Sequence, residues 1–323
     1  MKRISIAVCA LVAATLTAAP AAQAQEKVTY LFPAPQFLPA FAPWVLAQHK
    51  GYYKAAGLDV EFVIGKGGAD VAKQVGAGNA DLGGGIGDTP IIVRPNGVPV
   101  KAVALVGGGS LMQLIARADS TITKPADLKG KTISVMAYQD TTYYALLGVL
   151  ASAGLTKNDV DAQAVGPAGV VKLFVAGSAQ AMAAVPEWAV EAERAGTAIR
   201  WYPSGQYFPS MAQAIIAADD TIAKRPAAIK GFVQATLKAV AEIMADPKAA
   251  AAQYVAAVPQ HKGKEAEMAT ILGKYAELVY PGQAKLGQTD AARLGKLQDF
   301  YVEQGIVRSK TPVEQLYTNQ FVM

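Results

Sequence analysis

The stretch Gly57-Leu58-Asp59-Val60-Glu61-Phe62-Val63-Ile64 decides the fold class. Gly57 closes a helical region as a C-cap candidate, and Leu58 to Ile64 is a β-branched strand. Upstream, Val28–Phe32 predicts a first strand, and Pro33, Pro35, Pro39 and Pro43 punctuate a loop. Phe41, Trp44, Val45 and Tyr52 are spaced for one helical face. Strand, loop, helix, glycine and strand in that order is α/β grammar.

Downstream the grammar repeats. Ala69–Gly76 reads as helix and Ala80–Gly84 as strand. Thr89 is an N-cap with Pro90 at N1, and Asn96-Gly97 ends that helix. Val100–Val106, Met112–Arg117 and Thr132–Met136 are strands, followed by a helix over Thr142–Ala153 capped at Gly154. Strands at Ala162–Val165 and Ala179–Val185 flank a helix at Gly169–Ala176. A helix at Glu187–Ala195 precedes strands at Ile199–Tyr202 and Met211–Ala217, and from Asp219 onward the pattern is nearly all helix. The reading is two α/β lobes without a Gly/Ser linker and a helical C-terminal region. Met112–Arg117 carries the chain out of lobe 1 and Met211–Ala217 carries it back. Lobe 1 is then 25–117 plus 218–323, and lobe 2 is 118–217.

The chain has 323 residues, 52% hydrophobic and 17% charged, which excludes a disordered protein and leaves room for about two domains. The net charge of +5 comes with no Lys/Arg run, so a nucleic-acid partner is not expected. Met1-Lys2-Arg3, the apolar Ile4–Ala19 and Ala22-Gln23-Ala24 read as a secretory leader cleaved before Gln25. The apolar run is short of the ~20 residues that span a bilayer. Cys9 sits too early for a lipobox, with Val8 before it. Cleavage removes the single cysteine, and with it thiol nucleophiles, Cys-ligated zinc and iron–sulfur clusters. His49 and His261 are far apart in sequence and read as surface or interhelix residues. A soluble, exported, periplasmic monomer without cofactor, metal or catalytic residues is expected.

The glycine runs carry no nucleotide motif. Gly83-Gly84-Gly85-Ile86-Gly87-Asp88 lacks G-x-G-x-x-G. Gly130-Lys131-Thr132 lacks the first P-loop glycine, since Pro125 stands there, and Gly107-Gly108-Gly109-Ser110 lacks the glycine after serine of a nucleophile elbow. What remains is a set of loops at strand C-termini, where open α/β sheets bind ligands. They nominate Phe32, Phe37, Gly67, Gly68, Gly87, Asp88, Thr89, Ser110, Tyr138, Thr141, Thr142, Glu187, Trp188 and Phe208 as solute contacts. The plain alternative is ordinary βα turns and core aromatics. Acids (Asp70, Asp88, Asp140, Glu187) outnumber cations in these loops, where Lys66 is the exception. A hydrated dianion is poorly matched. Sulfonates or carboxylates on helix N-termini stay open, and the aromatics tilt the reading toward a pyrimidine or an aromatic acid.

Gly57-Leu58-Asp59-Val60-Glu61, Val75-Gly76-Ala77-Gly78-Asn79-Ala80-Asp81-Leu82-Gly83, Gly97-Val98-Pro99-Val100-Lys101 and Pro125-Ala126-Asp127-Leu128-Lys129-Gly130-Lys131 together resemble the solute-binding proteins of ABC importers. The branch is that for nitrate, sulfonate, taurine and thiamine-pyrimidine precursors. The resemblance implies a type II periplasmic binding fold that closes two lobes on a small organic solute and delivers it to an ABC permease. Gly177-Ser178-Ala179-Gln180-Ala181 departs from the family in having Gln180 where an acid stands, and Pro186-Glu187 inverts the usual order. The alternatives are a ligand-sensing subunit for a membrane kinase or non-ABC carrier, and a pyrimidine-synthesis enzyme of the same fold. The enzyme's cysteine-rich motif is absent from this chain.

Edman sequencing of protein from the periplasmic fraction should begin at Gln25. Recovery from membranes alone, or an N-terminus at Met1, would remove the leader reading.

Overall fold

The computed structural model describes residues 24–322. The expected leader, Cys9 included, lies outside the described residues except for Ala24.

Two five-stranded sheets organise the chain. The first contains β1 (Glu26–Phe32), β2 (Leu58–Ile64), β3 (Leu82–Ile86), β4 (Val100–Leu105) and β10 (Gln213–Ala218), in the order β2-β1-β3-β10-β4. The second contains β5 (Gln113–Arg117), β6 (Thr132–Val135), β7 (Asp161–Ala164), β8 (Ala181–Ala184) and β9 (Ile199–Tyr202), in the order β7-β6-β8-β5-β9. β1 runs parallel to β2 and β3, while β10 is antiparallel to β3 and β4. In the second sheet β5 is antiparallel to β8 and β9. β5 and β10 therefore belong to the sheets they lead into. Lobe divisions after 117 and 217 do not follow the hydrogen bonding; the crossings are the segments 106–112 and 203–212.

Helices cover the sheets. They are α1 (Ala42–His49), α2 (Tyr52–Ala55), α3 (Gly68–Gly76), α4 (Thr89–Val93), α5 (Thr141–Ser152), α6 (Pro167–Val175), α7 (Pro186–Arg194), α8 (Asp219–Lys224), α9 (Pro226–Ala245), α10 (Pro247–Ala257), α11 (Glu265–Leu278) and α12 (Ala291–Glu303). None of them is long and apolar enough to cross a membrane.

Three local readings change. β3 is shifted along the glycine run, because helix and tyrosine side chains lie on it. A Cβ on Gly83 would sit 2.4 Å from Val71, and one on Gly84 2.9 Å from the Tyr30 hydroxyl. Asp88, not Thr89, takes the N-cap position of α4; the Thr89 hydroxyl accepts the Ile86 N–H at 3.0 Å. The chain after α12 is irregular rather than helical. Gly305 ends the helix at φ +64°, and Tyr317 forms a parallel bridge to Ala102 at the edge of the first sheet.

The crossings are held by backbone contact. A Cβ on Gly109 would lie 2.0 Å from the Leu278 carbonyl oxygen, and one on Gly107 2.2 Å from that of Val279. The Gly109 N–H donates to the Val279 carbonyl at 2.8 Å. Arg293 of α12 donates to the carbonyls of Gly108, Pro209 and Ser210, so one guanidinium ties both crossings together. Ser110 adds a direct link, its hydroxyl 2.8 Å from the Ser210 carbonyl and 2.9 Å from the Ser210 hydroxyl.

Gly109→Ala should therefore cost at least about 1–3 kcal/mol of stability through overpacking. Gly273→Ala, where a Cβ meets nothing within 4 Å, should gain about 0.5–1 kcal/mol as a helix-interior replacement. Urea denaturation of the two variants checks the contrast.

Candidate functional site

A cavity of about 50 Å³ lies between the two sheets. The first sheet and its helices contribute Tyr30, Phe41, Trp44, Gly84–Ile86 and Gln213. The second contributes Met136 and the first residues of α5 and α7: Asp140, Thr141 and Thr142, then Glu187 and Trp188. Tyr30 is held by ring stacking on Phe232, centroids 5.1 Å apart, and lies 5.8 Å from Trp44. Gln213 donates its amide nitrogen to the Ala40 carbonyl at 2.7 Å. Three buried polar atoms of this lining have no partner: the Tyr30 hydroxyl, the Trp44 Nε1 and the Gln213 Oε1. Such groups are costly to bury unpaired, and together they offer two donors and an acceptor.

The rim is sealed by contacts between the lobes. The Ala69 N–H of α3 donates to the Gln139 carbonyl at 3.1 Å. Gly68 approaches Thr141 so closely that a Cβ would lie 2.9 Å from its hydroxyl, and Gly67, at φ +94°, packs on Asp140. Glu187 spans the lobes, accepting the Ala40 N–H at 3.3 Å and the Tyr275 hydroxyl at 2.5 Å.

Of the residues nominated from sequence, Thr141, Thr142, Glu187 and Trp188 line this cavity, and Gly67 and Gly68 form its rim. The others lie elsewhere. Phe32 is fully buried among Tyr30, Phe41 and Phe62. Phe208 packs on Phe300 and Tyr301, against a bare Gly148. Gly87 abuts Leu105 and Met211. Asp88 accepts the Tyr301 hydroxyl at 2.9 Å, and Thr89 and Ser110 are engaged as described above. Tyr138 is exposed, its hydroxyl donating to the Ala162 carbonyl, and Phe37 borders a separate outer hollow. The nominations missed Tyr30, Trp44, Asp140 and Gln213. The signal for two of them was there: Tyr30 is a polar aromatic on the inward face of a strand, and Gln213 opens an otherwise apolar strand.

Among the described residues, no Lys, Arg or His lines the cavity. Its two acids are buried instead. Burial pushes Glu187 up to about 7, against the opposing hydrogen bonds from Tyr275 and Ala40. Burial likewise pushes Asp140 up to about 6, although its carboxylate accepts the Thr142 N–H and hydroxyl. The α5 and α7 N-termini, which attract anions when free, already carry carboxylates here.

A raised carboxyl pKa favours the protonated folded state, so its contribution is fully present below the unfolded value and lost as pH rises through the folded one. Stability should fall between about pH 4.5 and 7.5, Glu187 alone accounting for on the order of 3 kcal/mol. Asp140 and Asp88, each pushed up by burial to about 6, contribute comparable amounts, so Glu187→Gln should remove about a third of that fall in a series of thermal melts. An unchanged slope would place the responsible charge elsewhere.

The riboflavin-binding protein RibY of Chloroflexus aurantiacus is 25% identical over 318 residues, covering 96% of this chain and 91% of the relative. The alkanesulfonate-binding protein SsuA of Xanthomonas axonopodis pv. citri, solved with MOPS bound, superposes with a TM-score of 0.72 at 19% identity, covering 92% of this chain and 98% of that one. The periplasmic nitrate-binding protein NrtA of Synechocystis PCC 6803 superposes with a TM-score of 0.68 at 15% identity, covering 92% of this chain and 87% of that one. The two-lobed α/β fold expected from the sequence is the fold shared with these neighbours. A family model described as NMT1/THI5 like matches residues 38–250, a span that takes in Trp44, Trp188 and Gln213; the chain belongs to the NMT1/THI5-like family.

Proposed function

We propose that this chain is an exported, monomeric solute receptor that captures a small flat heterocycle between its lobes and delivers it to an ABC import permease. The observation that carries the reading is the cavity lining itself. Aromatic walls from Tyr30, Phe41, Trp44 and Trp188 surround three unpartnered polar atoms and two acids, with no cation. Ring faces stack on such walls. Ring acceptors can take the Trp44 N–H and Tyr30 O–H, and a ring amine can donate to Gln213 or Glu187. A sulfonate or nitrate would meet carboxylates at both helix N-termini and no compensating charge, which separates this chain in ligand class from the sulfonate- and nitrate-binding neighbours. The similarity to a riboflavin-binding protein supports a heterocycle. The relative and the structural neighbours named above are binding proteins, which supports binding rather than turnover. A cavity of about 150 Å³ admits benzene, so a ring enters with the lobes parted and closure follows capture.

A thermal-shift screen over taurine, nitrate, aromatic acids, pyrimidines and riboflavin tests the class. A heterocycle at 100-fold saturation should add about 2.7 kcal/mol of stability, a shift of several degrees. A shift with taurine or nitrate, and none with any heterocycle, would overturn the reading. Tyr30→Phe sharpens the test. Deleting an unpartnered buried hydroxyl should leave the free protein as stable or more so, while solute affinity falls by about 1 kcal/mol, roughly sixfold. Loss of stability with unchanged affinity would make the hydroxyl structural.

A further inference from the structure

Outside Glu187 and Trp188 lies a second hollow of about 390 Å³, several times larger than the inner cavity. The two share Leu38, Glu187 and Trp188 as a common wall. The outer hollow also spans the lobes. Glu191 and Arg194 come from α7 on one side, and His261, Lys264 and Glu267 come from the turn and helix beginning α11 on the other.

We propose that this outer hollow is a second subsite for the same solute, holding an uncharged, hydroxylated chain attached to the ring that occupies the inner cavity. The inference rests on the receptor reading above and deepens it. Its lining mixes signs: Arg194 pairs with Glu267 at 3.2 Å, Lys264 partly offsets the rise of the Glu191 carboxyl, which burial and then Glu267 raise, and Glu187 is a third acid. An anionic substituent would meet three acids and a cationic one two bases. A chain of hydroxyls, each both donor and acceptor, suits a wall of alternating sign. His261 lines the hollow, though its Nδ1 is closed off from solvent. Its Nε2 lies 2.6 Å from the Phe37 carbonyl, which can only accept, so Nε2 carries the proton. The Nδ1 lone pair is left buried with no partner. At about 50 Å³ the inner space is smaller than the ~150 Å³ that admits benzene, so ring and chain alike would enter with the lobes parted further, with Glu187 and Trp188 between the two subsites.

Isothermal titration with two matched pairs tests this: lumiflavin against riboflavin, and cytosine against cytidine. Each pair shares a ring and differs in the hydroxylated substituent. On the native protein the chain-bearing member of at least one pair should bind about tenfold tighter than its bare ring, as one or two added hydrogen bonds would give. Lys264→Ala and Glu191→Gln, both outside the inner cavity, should each cut that advantage to threefold or less (about) without changing affinity for the bare ring. Far-ultraviolet circular dichroism confirms that both variants are folded. If a bare ring binds and its chain adds nothing, or the advantage survives both substitutions, the outer subsite is overturned while the inner ring site stands. If none of the four probes binds, the heterocycle reading falls, and the subsite with it.

Discussion

The relation between the lobes rests on one close backbone contact. The chain passes between its sheets twice, at 106–112 and 203–212, and the first passage lies flat against residues 278–283. Three consecutive glycines allow this, since each Cβ would fall within 2.8 Å of backbone atoms there. Arg293 then gathers carbonyls from both passages. Arginine suits this role, because its planar fork presents several donors in fixed geometry and stays charged when partly buried. The position of this joint determines which strand ends meet across the cleft, and hence that α5 and α7 present their N-termini to the wall formed by β1, β3 and α1.

That wall explains the chemistry of the cavity. β3 is bare glycine where α3 and Tyr30 press on it, so the tyrosine hydroxyl reaches the cleft instead of a strand side chain filling it. The surrounding rings exclude water, and exclusion of water raises Glu187 and Asp140. A cation in the lining would have reversed that shift and made an anion site. With none present, the same desolvation disfavours anions and leaves hydrogen bonding and ring stacking as the available sources of affinity.

Much of the fold was legible because strand and helix periods are local. β2 and β9 fall on their expected bounds, and the α5 and α7 starts, with Thr141, Thr142, Glu187 and Trp188, follow from strand–turn–helix grammar. The misses have tertiary causes. Phe32 ends a strand and Phe208 stands in loop-like sequence, but both are held in the core, one by the β1 aromatic cluster and the other by α12. Tyr30 and Trp44 read as core, and they are buried; that their polar atoms lack partners is visible only when both lobes are assembled. The last segment was read as helix from its composition. It instead adds a bridge to the sheet edge, because Ala102 offers an N–H and a carbonyl that Leu316 and Thr318 satisfy.

In the proposed receptor, Glu187 would join capture to closure. It belongs to the second lobe, yet both of its oxygens are bonded to groups of the first, the Ala40 N–H and the Tyr275 hydroxyl. An ionised carboxylate has about four acceptor positions, and the bonds from Ala40, Tyr275 and its own backbone leave the remainder for a donor in the cavity that Glu187 lines. Closing the lobes on an empty cleft removes water from those positions and replaces it with nothing. Closing them on a solute that donates a hydrogen bond there fills them. The difference acts only in the closed state, which is the condition for a ligand to shift a conformational equilibrium. A solute without a donor at that point could enter the cleft and stack on its rings, but it would leave the carboxylate as poorly satisfied as before and would draw the lobes together less strongly. In that proposal, the carboxylate that bridges the lobes would also discriminate among the solutes that enter.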